Sequence, residues 1–140
     1  MELVTKSEKE TFDFAKKIAI KAKGGDIYAL FGDLGSGKTT FAKGLALGLG
    51  IKKTVTSPTF TIMKQYPLAA DAVAKFLVHI DCYRLTSKED LCAIGFFEII
   101  DNPDYIVVLE WPECIWPEIK DKAEKINFEH LSETQRKISL

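Results

Sequence analysis

Four residues in the first third of the chain have the types and the spacing that bind a chain of phosphates. They lie in the stretch GDLGSGKTT and match the pattern G-x-x-x-x-G-K-[ST]: Gly32, Gly37, Lys38 and Thr39. Glycines permit backbone conformations in which consecutive N–H groups point inward toward phosphate oxygens. The lysine ammonium suits the outer phosphates, and the threonine hydroxyl is a hard oxygen ligand for hydrated Mg²⁺. The stretch therefore predicts a binding site for a polyphosphate.

The segments on either side of this phosphate loop, residues 32–40, have the order that such a site requires. Residues 26–31 are an apolar run of strand length, and residues 41–49 have the periodicity of a helix. A helix that begins at the loop adds partial positive charge, which also favours an anion. The residues predicted to contact a nucleotide are those of the loop and one later tryptophan: Gly32, Asp33, Leu34, Gly35, Ser36, Gly37, Lys38, Thr39, Thr40 and Trp111.

Two carboxylates follow apolar runs of strand length, which places them at the ends of predicted strands. Asp81 ends the run FLVHID, and Glu110 ends the run YIVVLE. Ligands of open α/β sheets bind beyond the carboxyl ends of the strands. We therefore predict that Asp81 and Thr39 hold Mg²⁺, and that Glu110 orients or deprotonates an attacking water or joins the metal ligands. A solvated aspartate at a strand end is the alternative for Asp81.

A segment rich in hydroxyl groups, residues 54–61, follows the second predicted helix and contains Pro58. In a loop that reaches back to the γ-phosphate, a hydroxyl can complete the Mg²⁺ shell only when that phosphate is present, which makes a switch. Thr59 is the residue predicted for this role, and a threonine-rich edge strand is the alternative. The predicted catalytic residues are Lys38, Thr59, Asp81 and Glu110.

Three further residues beside these motifs have more than one interpretation. Arg84 neutralises charge in a transition state, contacts a partner, or forms an ion pair at the surface. Trp111 packs either near a nucleotide or lid, or in the core. His79 is interpreted as an inward or edge-strand histidine rather than as a metal ligand.

Composition indicates one domain and limits the classes of partner. A chain of 140 residues buries about two-thirds of the surface that its unfolded form exposes, so we predict a single domain over residues 1–140. The net charge of −1 argues against a chain that holds nucleic acid by its own field. Three cysteines without a C-x-x-C pair suggest neither a disulfide frame nor a zinc site. Residues 1–7 lack an apolar signal segment, and no run approaches membrane length, so we expect a cytoplasmic protein without membrane contact.

Helical periodicity and capping residues predict the helices around the site. Ser7 and Glu10 form a capping box at the start of a helix over residues 7–22. This helix either flanks the nucleotide base or only covers the sheet. In the second helix, Gly44 and Gly48 are expected to permit close approach to the sheet.

Two pairs of runs with strand character predict hairpins. Residues 60–66 and 75–80 form the first pair, and residues 124–131 and 136–140 form the second. Together with the phosphate loop, these elements predict the fold class. We expect an α/β, single-domain, three-layer fold of the P-loop NTPase type, whose mixed, mostly parallel sheet is flanked by helices and carries a β-hairpin insertion and a terminal hairpin.

Two motifs that the sequence lacks reduce the number of candidate nucleotides and candidate reactions. A GTPase usually reads guanine with an N-K-x-D tetrapeptide, which does not occur here, so ATP and its product ADP are favoured. A small-molecule kinase of this loop class normally clamps phosphates with several arginines, whereas this chain has Arg84 and Arg136 alone. A slow hydrolase and a nucleotide-gated binding module remain. A small-molecule kinase is the third alternative.

With these motifs in view, the chain resembles the bacterial tRNA threonylcarbamoyladenosine biosynthesis ATPase family, TsaE, formerly YjeE. The resemblance runs in order through GDLGSGKTT, SPTFT, HIDCYRL and LEWP. It covers most of the length between residues 26 and 113. The combination is more specific than the phosphate loop alone, because each of the later motifs is a separate family mark.

The resemblance implies a small Mg²⁺-dependent ATPase that joins the proteins of the tRNA threonylcarbamoyl transferase complex and promotes turnover of that assembly. That complex acts on the adenosine next to the anticodon, and its other proteins would hold the tRNA, so tRNA is an indirect partner. The residues that match the family's functional positions are the same ones identified above: Lys38, Thr39, Thr59, Asp81 and Glu110. Cys82 departs from the family pattern, in which an apolar residue is commoner.

Overall fold

The computed structural model describes residues 1–56, 58 and 62–140, so the Thr59 predicted as a switch lies outside the described residues. Seven strands are present in the described part of the chain: β1 (Glu2–Thr5), β2 (Ile27–Phe31), β3 (Met63–Pro67), β4 (Phe76–Asp81), β5 (Tyr105–Glu110), β6 (Ala123–His130) and β7 (Arg136–Ser139). The helices are α1 (Glu8–Lys21), α2 (Lys38–Gly48), α3 (Lys88–Ala93), α4 (Phe96–Ile99) and α5 (Trp116–Ile119), with a 3₁₀ turn at Pro112–Cys114.

The strands form one sheet in the order β1-β7-β6-β2-β5-β4-β3. Strands β6, β2, β5 and β4 are parallel neighbours. Strand β3 is antiparallel to β4, and β7 is antiparallel to both β6 and β1, so five of the seven strands share one direction. The predicted mixed, mostly parallel sheet and its two hairpins are confirmed.

Strand β1 was not expected from the sequence. Its four residues read ELVT, which is too short for a periodic signal. It pairs with β7 from Glu2 opposite Ser139 to Thr5 opposite Arg136, so β1 forms one edge of the sheet and β7 lies between β1 and β6. The strand therefore depends on a partner more than a hundred residues away in the chain.

Helices cover both faces of the sheet because successive strand residues point in opposite directions. In β5, Ile106 and Val108 pack with the cluster that contains α1 and α2. Val107 and Leu109 pack with the cluster that contains α3, α4 and α5. An apolar run buried on both faces is typical of a central parallel strand, and the predicted three layers are confirmed.

The two helices on the first face contact each other at glycines. A Cβ at Gly44 would lie 2.8 Å from the Cβ of Ala15, and a Cβ at Gly48 would lie 2.5 Å from the Cβ of Ala19. The expectation that these glycines permit close approach to the sheet was wrong, because the surface they approach is that of α1. Bare backbone on α2 lets the two helices lie closer than side chains would allow.

The structure confirms the Ser7 half of the capping box predicted at the start of α1, whereas the Glu10 carboxylate bonds one residue earlier than the box requires. Ser7 has an extended backbone, and its Oγ accepts a hydrogen bond of 3.1 Å from the backbone N–H of Glu10. The carboxylate of Glu10 in turn accepts from the backbone N–H of Lys6. In the described part of the chain, no helix is both long and apolar enough to cross a membrane.

Candidate functional site

The phosphate loop joins the end of β2 to the start of α2, and all three of its glycines have conformations that a side chain would strain. Gly32 has a φ of 142°, Gly35 a φ of 75° and Gly37 a φ of 105°. A Cβ at Gly32 would also lie 2.7 Å from the Oγ of Ser36. Gly37 is the N-cap of α2, and Lys38 is its first residue. The loop therefore directs the N-terminus of a helix of eleven residues toward the site.

The side chain of Lys38 folds over the loop that precedes it. Its Nζ donates hydrogen bonds to the backbone carbonyl of Gly32, to that of Asp33 at 2.8 Å, and to the Oγ of Ser36 at 3.3 Å. The ammonium also lies 4.1 Å from the centre of the Trp111 ring, within range of a cation–π interaction. The loop and the lysine thus form one connected unit.

The electrostatic environment of Lys38 contains opposing influences. Lys38 is only 5% exposed, and burial lowers the pKa of its ammonium below the usual value. Carboxylates act in the opposite direction, led by Glu110, then Glu113, Asp33 and Asp81. The ammonium is therefore poorly solvated by water, which strengthens its interaction with an anion that enters the site.

The two predicted carboxylates lie side by side because their strands are parallel neighbours with Asp81 opposite Glu110. The Oγ1 of Thr39 donates a hydrogen bond of 2.8 Å to the Oε1 of Glu110. The Oδ1 of Asp81 accepts from the backbone N–H of Tyr83 at 2.9 Å. Strand pairing thus brings both carboxylates next to the first turn of α2.

His79 is a buried neighbour of this group. Its Nε2 lies 3.3 Å from the Oε2 of Glu110, and its side chain is 1% exposed. The Nδ1 has no hydrogen-bond partner among the described residues. The sequence indicated an inward or edge-strand histidine, and the structure places it in the interior of the sheet.

Trp111 follows β5 directly and has a left-handed backbone conformation, with a φ of 56°. Its ring lies 4.9 Å from the ring of Tyr83, measured between centroids, and the same side chain packs against the core on the α3–α5 face. The core interpretation of Trp111 agrees with this packing, and the same side chain borders the loop at Lys38, so its contact with a nucleotide stays a prediction.

A cavity of about 320 Å³ brings the candidate residues together. It is lined by residues 34–40 of the phosphate loop and by residues from the ends of β4 and β5: Asp81, Tyr83, Arg84, Glu110 and Trp111. Gly32 and Asp33 are not among its lining residues, and they contact the ammonium of Lys38 through their carbonyl groups instead.

A second cavity, of about 450 Å³, lies beside the same loop. Gly35, Gly37 and Thr40 line both cavities. The second cavity is completed by the start of α1, through Thr11, and by Arg136 in the terminal hairpin. Sequence analysis missed these two residues because neither has a motif and both are distant from the loop in the chain.

Arg136 connects the terminal hairpin to the loop. Its Nε donates a hydrogen bond of 3.0 Å to the backbone carbonyl of Gly35, across 101 positions of sequence. One of its terminal nitrogens donates to the carbonyl of Ser132 at 2.8 Å. The Oγ1 of Thr40 donates to the carboxylate of Glu8 at 3.1 Å, so α1 is also connected to the loop.

Comparison with known families decides what kind of protein carries this site. Residues 5–138 match the family model described as Threonylcarbamoyl adenosine biosynthesis protein TsaE. The chain belongs to the TsaE family. The match extends from β1 to β7, so it includes both hairpins and every residue that lines the two cavities.

Individual relatives agree with this membership. The chain is 43% identical over 113 residues to the tRNA threonylcarbamoyladenosine biosynthesis protein TsaE of Borreliella burgdorferi, covering 81% of this chain and 79% of the relative. It is 35% identical over 140 residues to the protein of the same name from Treponema pallidum, covering 100% and 99%. The crystal structure of Bacillus subtilis YdiB superposes with a TM-score of 0.70 at 33% identity, covering 99% of this chain and 82% of YdiB. The predicted P-loop NTPase-like fold is confirmed.

The oxygen atoms at this TsaE-family site suit a hard divalent cation. Thr39, Asp81 and Glu110 line one cavity and supply a hydroxyl and two carboxylates. Among the residues that the structure describes, no three His, Cys, Asp or Glu side chains converge into a metal-holding cluster. Mg²⁺ commonly binds through one or two carboxylates and takes its remaining ligands from phosphates and water, so these residues fit that ion.

Proposed function

We propose that this TsaE-family chain is a Mg²⁺-dependent ATPase of tRNA threonylcarbamoyladenosine biosynthesis, acting in the cytoplasm. It would hydrolyse ATP to ADP and phosphate and so support turnover of the threonylcarbamoyl transferase complex. The observation that carries the proposal is the convergence of Lys38, Thr39 and Glu110 on one cavity beside the loop. Membership of the TsaE family shows a role in tRNA threonylcarbamoyladenosine biosynthesis, and the residues of the site support ATP hydrolysis as the reaction.

Binding of the triphosphate would use the loop amides and Lys38. The N–H groups at the start of α2 and the ammonium present positive charge to the same cavity. Lys38 Nζ donates to the carbonyls of Gly32 and Asp33, and these bonds hold it beside the loop. Phosphate oxygens would replace or share these acceptors.

The metal ligands of this chain would be Thr39, Asp81 and Glu110. A bound Mg²⁺ would neutralise phosphate charge as it develops. The Thr39 hydroxyl donates a hydrogen bond to Glu110, which leaves the oxygen lone pairs of Thr39 available to a cation. Glu110 thereby orients the hydroxyl, in addition to any contact of its own with the ion or water.

Hydrolysis requires attack by water oxygen on the γ-phosphorus while the bond to the bridging oxygen breaks and ADP leaves with the electron pair. Catalysis of such a step consists mostly of positioning and charge stabilisation. Glu110 is the carboxylate proposed to orient the water and accept its proton. Arg84 lines the same cavity and is proposed to offset negative charge on the transferring group. Thr59 remains the proposed switch residue.

The second cavity is the proposed site for the nucleoside. Gly35, Gly37 and Thr40 line both cavities, so a nucleotide whose phosphates lie in the first can extend directly into the second. There Arg136 supplies a guanidinium, and Thr11 lines the wall while its hydroxyl is hydrogen-bonded to Thr5. This arrangement supports the interpretation that α1 flanks the base in addition to covering the sheet.

The proposal is tested by tryptophan fluorescence titration with Mg-ATP and Mg-GTP, followed by hydrolysis with and without the other proteins of the transferase complex. We expect tighter binding of Mg-ATP, slow hydrolysis by the isolated chain, and faster hydrolysis with the partners. Equal rates with and without them would remove the partner-dependent part of the proposal. Absence of any ATP binding would remove all of it.

A nucleotide-gated binding module is a second candidate, supported by the rim of the first cavity. Leu34 is 74% exposed and Tyr83 is 60% exposed, and both line that cavity. Apolar side chains at such a position suit contact with another protein. Partner affinity measured with ADP and with a non-hydrolysable ATP analogue separates the candidates, because gating predicts a difference of at least about tenfold. Identical affinities would reject gating.

A further inference from the structure

One buried polar side chain in the sheet has no role in the function proposed above. His79 lies on β4 opposite Val108 of β5, and it shares a face of its strand with Leu77. All three side chains are about 1% exposed. An apolar residue would pack in this interior without the loss of hydration that a buried imidazole incurs. The imidazole therefore needs an explanation from its polar contact.

That contact is the carboxylate of Glu110. The Nε2 of His79 lies 3.3 Å from Oε2, and the Oγ1 of Thr39 donates to Oε1 at 2.8 Å. The two oxygens of one carboxylate thus contact different elements, the interior of β4 and the first turn of α2. A carboxylate held at both oxygens has little freedom to rotate about its terminal torsion.

The positions of the hydrogens follow from the chemistry of the partners. An ionised carboxylate only accepts hydrogen bonds, so the imidazole must donate from Nε2. A hydrogen on Nδ1 would have no acceptor among the described residues. The tautomer that satisfies the contact is therefore the one protonated on Nε2.

We propose that His79 is a positioning residue that fixes the carboxylate of Glu110 so that it can orient the hydroxyl of Thr39. The inference rests on the proposed function of Glu110 at a Mg-ATP site. His79 does not itself line the cavity, and its polar contact with the lining is the one with Glu110. Its effect on Mg²⁺ binding and hydrolysis is transmitted through one hydrogen bond, in the way that outer partners orient metal-binding carboxylates.

Two amide substitutions separate the hydrogen bond from general packing. In His79→Gln the side-chain nitrogen is the same number of bonds from Cβ as Nε2, whereas in His79→Asn it corresponds to Nδ1. We expect the Mg²⁺ concentration for half-maximal single-turnover hydrolysis to stay, in His79→Gln, within about threefold of its value in the original protein. We expect His79→Asn to raise the Mg²⁺ concentration for half-maximal single-turnover hydrolysis by about 10- to 100-fold. Equal effects of both variants, or no effect of either, would overturn the proposal.

A double-variant cycle tests whether His79 acts through Glu110. If it does, His79→Asn shifts the Mg²⁺ midpoint no further, within about twofold, once Glu110→Gln is present. Additive losses would instead indicate a packing role and would overturn the proposal. If Glu110→Gln alone leaves both the midpoint and the rate unchanged, the proposed function of Glu110 fails. If only His79→Asn is without effect, that function stands and the positioning role fails.

The tautomer provides a measurement that does not depend on activity. The chain contains two histidines, His79 and His130, so a His130→Gln variant leaves one set of imidazole signals in a ¹⁵N correlation spectrum. We expect His79 to be protonated on Nε2, and we expect the ¹⁵N chemical shift of that nitrogen to change when the Glu110→Gln substitution is also present. A hydrogen on Nδ1 with a bare Nε2 would overturn the proposal.

Discussion

At the scale of single residues, Lys38 is the cation on which the proposed phosphate binding would depend most. Replacing it with alanine removes the ammonium while the loop backbone remains, and a hydrogen bond to a charged group contributes about 1.5–3 kcal/mol. We expect Lys38→Ala to weaken ATP binding at least about tenfold, measured by isothermal titration calorimetry. Lys43→Ala is the matched control, because Lys43 is exposed on the same helix. Unchanged affinity in Lys38→Ala would contradict the proposed phosphate site.

Replacing Glu110 is expected to have a different effect, because in the proposed site the affinity for phosphates comes from the loop and Lys38. We expect Glu110→Gln to keep nucleotide affinity in the presence of EDTA within about threefold. Single-turnover hydrolysis with Mg²⁺ should fall by about 100-fold or more, because the amide neither holds the cation nor accepts a proton.

The control for that experiment is Glu113→Gln, since Glu113 is an exposed carboxylate a short distance along the chain. It should hydrolyse ATP at nearly the original rate. A Glu110→Gln protein that hydrolyses normally would require another residue to carry the water and metal roles.

At the scale of elements, the contact between α1 and α2 determines how firmly the loop is supported. A Cβ at Gly44 would collide with the backbone carbonyl of Phe12 and lie 2.8 Å from the Cβ of Ala15. Alanine has the higher helix propensity by about 1 kcal/mol, yet overpacking typically costs about 1–3 kcal/mol. We expect Gly44→Ala to lower the free energy of unfolding by up to about 2 kcal/mol in urea denaturation.

Lys43→Ala again supplies the comparison, because it adds no atoms at the interface and should change the free energy of unfolding by less than about 0.5 kcal/mol. Stabilisation by Gly44→Ala would mean that the helices separate at no cost. In that case, their close approach would not be a requirement of the fold.

At the scale of the whole molecule, the last strand of the chain reaches a loop near its beginning. Arg136 donates to the carbonyl of Gly35 and lines the cavity proposed for the nucleoside. We expect Arg136→Gln to weaken ADP binding by about 3- to 10-fold in calorimetry, because one charge-assisted contact is lost. Lys137→Gln is the control, since Lys137 forms ion pairs with Glu2 and Glu129 on the surface. Equal losses of ADP affinity in both variants would indicate a general effect of removing positive charge and would contradict a specific role for Arg136.

Much of the fold was predictable because its signals are local. The apolar run of β5, the side-chain cap at Ser7 and the hairpin of β6 with β7 each lie within a short window, and all are present. Strand β1 was not predictable because four residues carry no periodicity and their pairing partner is β7. Gly44 was predicted to approach the sheet, but it contacts α1. The residue pattern of one helix does not indicate which element packs against it.

The sequence by itself determined the chemistry of the phosphate loop, because the backbone conformations and the functional groups are specified within nine consecutive residues. It also placed Asp81 and Glu110 at strand ends. Only the tertiary structure decided that Glu110 contacts both Thr39 and His79, and that Arg136 and Thr11 share a cavity beside the loop. Strand order and register set these neighbours, and they arise from packing of the whole chain rather than from any single segment.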